Sequence, residues 1–451
     1  MTATDSARPA LAAGRARPRQ DAVRTAASRW RTGTALAVLA LGAAAIAWLR
    51  IPAADRDVLW AEDGRNFLQD AIDGAAGGVL RPYAGYLHVV PRLLASAVAA
   101  TVPPAGWAVA MTAGSCLIAG ILSAVVFVSA RAVIPARMAR LAIAMLTVLA
   151  PMASREVLGN AANLHSLFFW ALFWMLLGRP RSRTGSAVLA AVGLLAALTE
   201  IQAVLLLPLL LVAWRDRRRW LVRGAVLLGV VAQLTVTLIW ARPASGHQAV
   251  GPLSLPYGYL INVVMPFAVP RSAIGPALNA SGPLLGLIVL AALAFCAFWG
   301  LRGGIRARTA VIALLAMSAV VYCASVVANP NPFLDYANIS RTALEHVWFV
   351  RYGVVPSMML GAAAVVGLTA VWQRSARRTV RLVVIAVVIV GLLGNAAPQP
   401  TRRSDGPSWS AGVATAEQLC GRRPDTRSVP IGETLGWQLV VPCSLLSRDR
   451  F

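Results

Sequence analysis

Eleven apolar runs separated by short polar breaks set the pattern of this chain. They cover 33–50, 106–130, 141–153, 164–178, 186–199, 202–214, 224–241, 283–300, 309–328, 353–372 and 382–397. A helix needs about 20 apolar residues to cross a bilayer core. The pattern therefore predicts an all-α polytopic membrane protein of about 11 transmembrane helices. The runs 141–153 and 186–199 are short for that task and predict helices packed inside the bundle or extending past these limits. Residues 1–32, with Arg, Pro and Ser but no apolar stretch, read as a disordered tail. Residues 398–451 read as a second, polar tail. No small-residue cleavage site closely follows the first run, so it reads as a retained helix.

The polar breaks carry the sidedness. All 42 basic residues are Arg, against 18 acidic ones. The tail 1–32 and the breaks 131–140, 179–185, 215–223, 302–308 and 374–381 hold 25 Arg and only Asp5, Asp21 and Asp216 as acids. These pieces read as cytoplasmic by the positive-inside rule. The N-terminus is then inside and the C-terminus outside, and loops 51–105, 242–282 and 329–352 face outward. The net charge of +24 is a topology signal and no nucleic-acid groove is implied. Tyr86 to Val102 is apolar enough to span, yet a crossing there would turn every later Arg cluster outward. It reads instead as an interfacial helix with Pro91 in its first turn and with His88 and Arg92 sharing a polar face. The absence of Lys and the abundance of Ala and Val suit a high-G+C bacterial genome, hence a bacterial plasma membrane.

Composition changes the picture in one place. Only 13% of residues are charged, yet Asp55, Asp57, Glu62, Asp63, Asp70 and Asp73 crowd the first outer loop, around VLWAEDGRNFLQDAIDG. Asp63 has two readings: an N-cap for the helix that follows, or a general base in a partly desolvated pocket at the membrane surface. Glu62 and Asp63 are adjacent and would point about 100° apart on a helix, so they do not form a facing pair.

Further groups lie in outward-facing breaks. SREVLGNAANLHSLFFW carries Glu156, Asn160, Asn163 and His165. These residues could cap helix ends, or could orient an acceptor sugar or help hold a divalent metal (Mg or Mn) through oxygen ligands. Glu200, in LTEIQ, is a polar turn residue or a third site carboxylate. RTALEHVWFVRYGVVPSM places Arg341, Glu345, His346, Arg351 and Tyr352 at an outer boundary. Arg351 suits a phosphate clamp, since guanidinium binds phosphate bidentately; an interfacial Arg within a Trp/Tyr belt is the competing reading. Cys116, Cys296 and Cys323 fall in apolar runs and read as packing residues. Cys420 and Cys443, 23 apart in the outer tail, suit a disulfide. No P-loop, nucleotide-binding glycine motif, serine elbow or zinc spacing is present in the sequence, so a donor used on the outer side would be lipid-linked.

These motifs together resemble the GT-C superfamily of membrane glycosyltransferases. Members place an acidic motif in the first outer loop, flanked by two interfacial helices; here WAEDG supplies the acids, with 64–73 and 87–102 as the helices. GLLAALTEIQAVLLLPLLL (193–211) is similar to a helix-turn-helix of the protein mannosyltransferase and aminoarabinose transferase branch, which often has Lys where this chain has Glu200. The set WAEDG, PYAGYLHVVPR, GNAANLH and VRYGVVP is similar to actinobacterial membrane proteins of this general kind. The resemblance implies a polyprenyl-phosphate-linked sugar as donor, a cell-envelope glycan or protein as acceptor, and inversion by single displacement. It makes Asp63 the base, Glu156 the second-loop acid, and Arg351 with Arg92 the groups that neutralise the departing lipid phosphate. His88, Asn160, Asn163, His165, Glu200 and Tyr352 would line the substrate site. Two other classes stay open: a structural envelope-assembly subunit, and a transporter or flippase for lipid-linked saccharides; the latter predicts midplane charges and internal symmetry, whereas nearly all the acids here sit in outer loops.

Overall fold

The computed structural model describes residues 18–74, 78–242, 249–344, 349–375, 377–394 and 396–447. Glu345 and His346, and residues 1–17 of the expected tail, lie outside them. The longer helices are α1 (Pro18–Leu49), α2 (Val89–Thr101), α3 (Trp107–Ser129), α4 (Arg137–Leu149), α5 (Leu164–Leu177), α6 (Arg183–Ala197), α7 (Trp220–Ile239), α8 (Leu284–Leu301), α9 (Ile305–Ala328), α10 (Val354–Arg374), α11 (Arg378–Leu393) and α12 (Trp409–Arg422). Helix α1 begins at Pro18, so residues 18–32 are helical where the sequence suggested disorder.

Among the described residues, six segments are long and apolar enough to cross a membrane: Thr32–Leu49, Pro104–Ala132, Arg217–Ile239, Leu284–Leu301, Ile305–Ala328 and Arg351–Arg374. The protein is thus a helical, membrane-embedded chain. The remaining apolar runs form shorter elements. With 14 residues, α5 rises about 21 Å at 1.5 Å per residue, short of the ~30 Å hydrocarbon core. Every α5 side chain except His165 is buried. Since lipid tails are as apolar as Leu, such a helix is held by dispersion packing and polar contacts. Trp170 packs edge-on against Trp174, with ring centroids 5.5 Å apart, and donates to Thr147 Oγ1 at 3.1 Å. Around it lie α3, α4 and the first two-thirds of α10, where Val354 to Gly367 are all buried.

The run expected as a helix over 202–214 is a 3₁₀ segment, Ile201–Leu211. Pro208 lies inside it and cannot donate the backbone hydrogen bond that a regular α-helix would need there. The end of α1 is locked by Arg50, whose buried guanidinium donates to the carbonyls of Val148 and Ala150 at the end of α4.

The C-terminal tail is an ordered cap. It comprises α12, an antiparallel hairpin β1 (Ser428–Gly432) and β2 (Gln438–Pro442), and a Cys420–Cys443 disulfide. The strands bury alternate residues, Val429 and Ile431 facing inward with Leu439 and Val441. Five-residue strands alternate too briefly to stand out in a helical sequence. Asp55 accepts from Thr401 Oγ1 at 2.5 Å and Ser404 Oγ at 2.7 Å. Asp57 accepts from Ser408 Oγ and Ser410 Oγ at 2.7 and 2.6 Å. Trp409, fully buried, stacks on Trp107 with ring centroids 6.2 Å apart and donates to Pro104 O.

Candidate active site

A cavity of about 910 Å³ opens where α7 and α9 end and α5 and α10 begin. Its walls come from loops spread along the chain. WAEDG leads into a π-helical turn, Asp63–Leu68; such turns widen a helix locally and recur at functional sites. PYAGY makes a tight reversal: Tyr83 and Tyr86 exchange two backbone bonds, and Ala84 and Gly85 carry φ of 51° and 85°. Paired left-handed residues match the twist of a two-residue hairpin, and Gly adopts that geometry without strain. Gln233 on α7 anchors the hairpin by accepting from Leu87 N at 2.8 Å and donating to Leu87 O at 3.0 Å.

The third wall is the turn GNAANLH, and here Asp63 finds its place. Its Oδ2 accepts from Ala161 N at 2.9 Å and its Oδ1 from Ala162 N at 2.7 Å. Arg403 closes the same turn from behind, donating to Gly159 O at 3.0 Å and Thr112 Oγ1 at 2.9 Å. Within it, Asn160 Oδ1 accepts from Asn163 N, and Asn163 Nδ2 donates to Glu156 O. Asp63 is thus a clamp on a turn distant in sequence, and it does not reach the cavity wall. Burial pushes its carboxyl up to about 7, opposed by the two amide donors.

Asn160 also stays behind the wall, and so does Arg92. The buried Arg92 binds Asp70 at 2.5 Å and lies over the Phe67 ring at 5.2 Å, so the expected polar face of α2 is spent on an internal ion pair. The remaining expected residues, Glu62, His88, Glu156, Asn163, His165, Glu200, Arg351 and Tyr352, all line the cavity. Arg351 binds Glu156 at 2.7 Å. Glu200 is held twice, by His165 Nδ1 at 2.6 Å and by Gln202 N at 2.6 Å, which makes it the N-cap of the 3₁₀ segment. Of the three cavity carboxylates, Glu62 alone keeps an oxygen, Oε2, that is buried without a hydrogen-bond partner.

His88 sits among aromatic rings, with Tyr86 at 4.1 Å, Phe67 at 5.5 Å and Tyr83 at 5.6 Å between centroids. Burial first, then His165 and Arg92, holds its imidazole well below the ordinary histidine range, so it is neutral. Neither ring nitrogen meets a partner at hydrogen-bonding geometry.

Four groups were not expected from the sequence. Arg402 lines the cavity although it belongs to the polar tail; Arg242 and Tyr83 line it from loops at the same end of the bundle. The signal that could have found Arg402 is charge balance: TRRSDG places two Arg beside a first loop with six acids. The fourth, Glu433, lies against the backbone that follows Glu62 and Asp63. It comes so close to Gly64 that any Cβ there would strike its carboxylate, and it accepts from Arg65 N at 3.3 Å. Burial pushes Glu433 up to about 9, opposed by that amide and raised further by Asp63.

The six acids of the first loop therefore divide by task. Asp55 and Asp57 hold the tail, Asp70 pairs with Arg81 and Arg92, Asp73 accepts from Gln69, and Asp63 clamps the turn. Glu62 alone faces the cavity. Among the described residues, no three His, Cys, Asp or Glu side chains cluster closely enough to hold a metal ion.

Compared with family models, with curated proteins and with solved structures, the chain matches none.

Proposed function

We propose that this protein is a membrane glycosyltransferase that takes a sugar from a polyprenyl-phosphate donor and passes it to a cell-envelope acceptor on the outer face. The observation that carries the reading is one cavity where Glu62 and Glu156 meet Arg351, Arg402 and Arg242, above an apolar lining of Phe169, Leu205, Val321 and Val355. An amphiphile with a charged phosphate between a sugar and an isoprenoid needs that division of walls. Tyr83, Tyr86 and Tyr352 add faces on which a sugar ring can lie.

In this mechanism Glu62 replaces Asp63 as the base. Its carboxylate, on the cavity wall, accepts the acceptor hydroxyl's proton as that hydroxyl oxygen attacks the anomeric carbon. The bond from that carbon to the phosphate oxygen breaks, and polyprenyl phosphate leaves with the electron pair. Arg351, oriented by Glu156, and Arg402 meet the charge growing on the phosphate. Fixed guanidinium groups in a site that excludes water are worth far more to such a transition state than in bulk water. Asp63 and Arg403 contribute by positioning, since they hold the turn that carries Glu156, Asn163 and His165.

The positive-inside distribution of Arg supports an outer-side location for this cavity. The transporter reading is weaker because Glu156 and Glu200 are tied by Arg351 and His165 at the mouth and the chain shows no repeat. The test uses purified protein in liposomes with a panel of radiolabelled hexosyl and pentosyl polyprenyl phosphates and a cell-wall extract. Wild type should transfer label and Glu62→Gln should lose about 10²-fold or more, the size of a general-base effect. Equal transfer by Glu62→Gln removes Glu62 from the chemistry.

A further inference from the structure

A second cavity, of about 1030 Å³, lies at the opposite end of the bundle. The same helices connect the two. Helix α5 starts at the first cavity with His165 and ends at the second with Leu177; α9 starts at the second with Arg306 and ends at the first with Ala328. Eight arginine side chains and one carboxylate, Asp216, line this basin. Asp216 is already taken by Arg179 at 2.8 Å and Arg219 at 3.3 Å. Arg140 is buried at 5% exposure, over the Phe127 ring at 4.7 Å, and its Nε has no hydrogen-bond partner. Arg131, Arg137 and Arg181 rim the same hollow and are exposed.

Topology alone asks for Arg in these loops. It does not ask that loops from four separate parts of the chain aim them into one hollow, where like charges repel. We infer that this basin binds a polyphosphate-type anion, with two or more phosphoryl groups on one scaffold. A single phosphate engages two or three guanidinium groups bidentately, fewer than the basin offers, and the volume accommodates a larger group. Two sources carry that chemistry: the headgroup of a diphosphate lipid in the inner leaflet, and a free pyrophosphate-type ion. The inference is independent of the function proposed for the first cavity.

The experiment uses the full chain, purified in detergent and stripped of lipid. Cardiolipin binding is read by native mass spectrometry against phosphatidylcholine, and inorganic pyrophosphate binding by calorimetry. Saturable binding of about one equivalent by either probe is expected. Cardiolipin alone assigns the lipid source, and pyrophosphate binding assigns the soluble one. The triple variant Arg131→Gln, Arg137→Gln, Arg181→Gln should weaken that binding about tenfold or more, given the strength of charge-assisted bonds. A control with the same charge change outside the basin, Arg302→Gln, Arg377→Gln, Arg378→Gln, should bind like wild type. Failure of both probes to saturate overturns the inference, and so does an equal loss in the two triple variants.

Discussion

Removing the Asp63 carboxylate separates a positioning role from a chemical one. In wild type the two carboxylate oxygens satisfy two buried backbone amides, Ala161 N and Ala162 N, across nearly a hundred residues of sequence. A hydrogen bond to a charged group contributes about 1.5–3 kcal/mol. Asp63→Ala forfeits two of these and leaves two buried donors unsatisfied, so opening of the 158–164 turn should become easier by about 3–6 kcal/mol. That is roughly two to four orders of magnitude in amide protection. Asp63→Asn keeps one carbonyl acceptor but turns an NH₂ toward the other amide, so about half of the loss is expected. The assay is hydrogen–deuterium exchange of peptides spanning Ala161 and Ala162, at pH 8, above the Asp63 titration near 7. Graded loss of protection in the order wild type, Asn, Ala supports the clamp. Unchanged protection in Asp63→Ala, together with lost sugar transfer, would refute it and return Asp63 to the chemistry.

Three further outcomes follow from the same geometry. Glu433 has its folded-state pKa raised to about 9 from the ordinary 4.5, so the folded protein holds a proton that the unfolded chain has lost between those values. Its contribution is full below pH 4.5 and declines by up to about 1.4 kcal/mol per pH unit up to pH 9; Glu433→Gln should flatten this part of the stability-versus-pH curve, and an unchanged slope contradicts the assignment. Arg351→Ala leaves Glu156 without its ion-pair partner and, in the proposed transfer, the departing phosphate without one of its two guanidinium donors; kcat/KM for the donor should drop about 10²-fold, with Arg351→Lys recovering only part because it lacks the bidentate fork. Replacing Cys420 and Cys443 by Ser opens a loop of 23 residues. Loop-closure entropy then predicts about 3 kcal/mol less stability for the cap, read as faster proteolysis within 398–447 while the bundle helices stay protected.

The apolar runs made the bundle legible, because a residue's preference for lipid or core is a local property. Arg clusters marked one end of it for the same reason. What stayed hidden depends on partners far apart in sequence. Nothing local to Asp55 or Asp57 announces that Thr401, Ser404, Ser408 and Ser410 close on them. Acidic crowding in the first loop therefore looked wholly functional, although most of those carboxylates are fastenings. Asp63 and Glu62 show how fine the margin is: adjacent residues, pointing apart as helical geometry requires, divide into a clamp and a cavity group. Eight of the eleven expected site residues share the cavity wall. Their motifs sit at helix ends on one side of the bundle, and hydropathy places helix ends well. Arg402 was missed because its segment returns to the site from a tail that hydropathy can describe only as polar.

The proposed function has the cavity transfer a sugar instead of carrying one across. Liposomes holding wild-type protein and a glycosyl polyprenyl phosphate labelled in sugar and lipid, with cell-wall extract outside, test it most directly. Sugar label is expected in the acceptor with inverted anomeric configuration, with one polyprenyl phosphate released per sugar and both signals lowered about 10²-fold or more in Glu62→Gln. Donor that changes leaflet with its sugar–phosphate bond intact, at a rate untouched by Glu62→Gln, would contradict it.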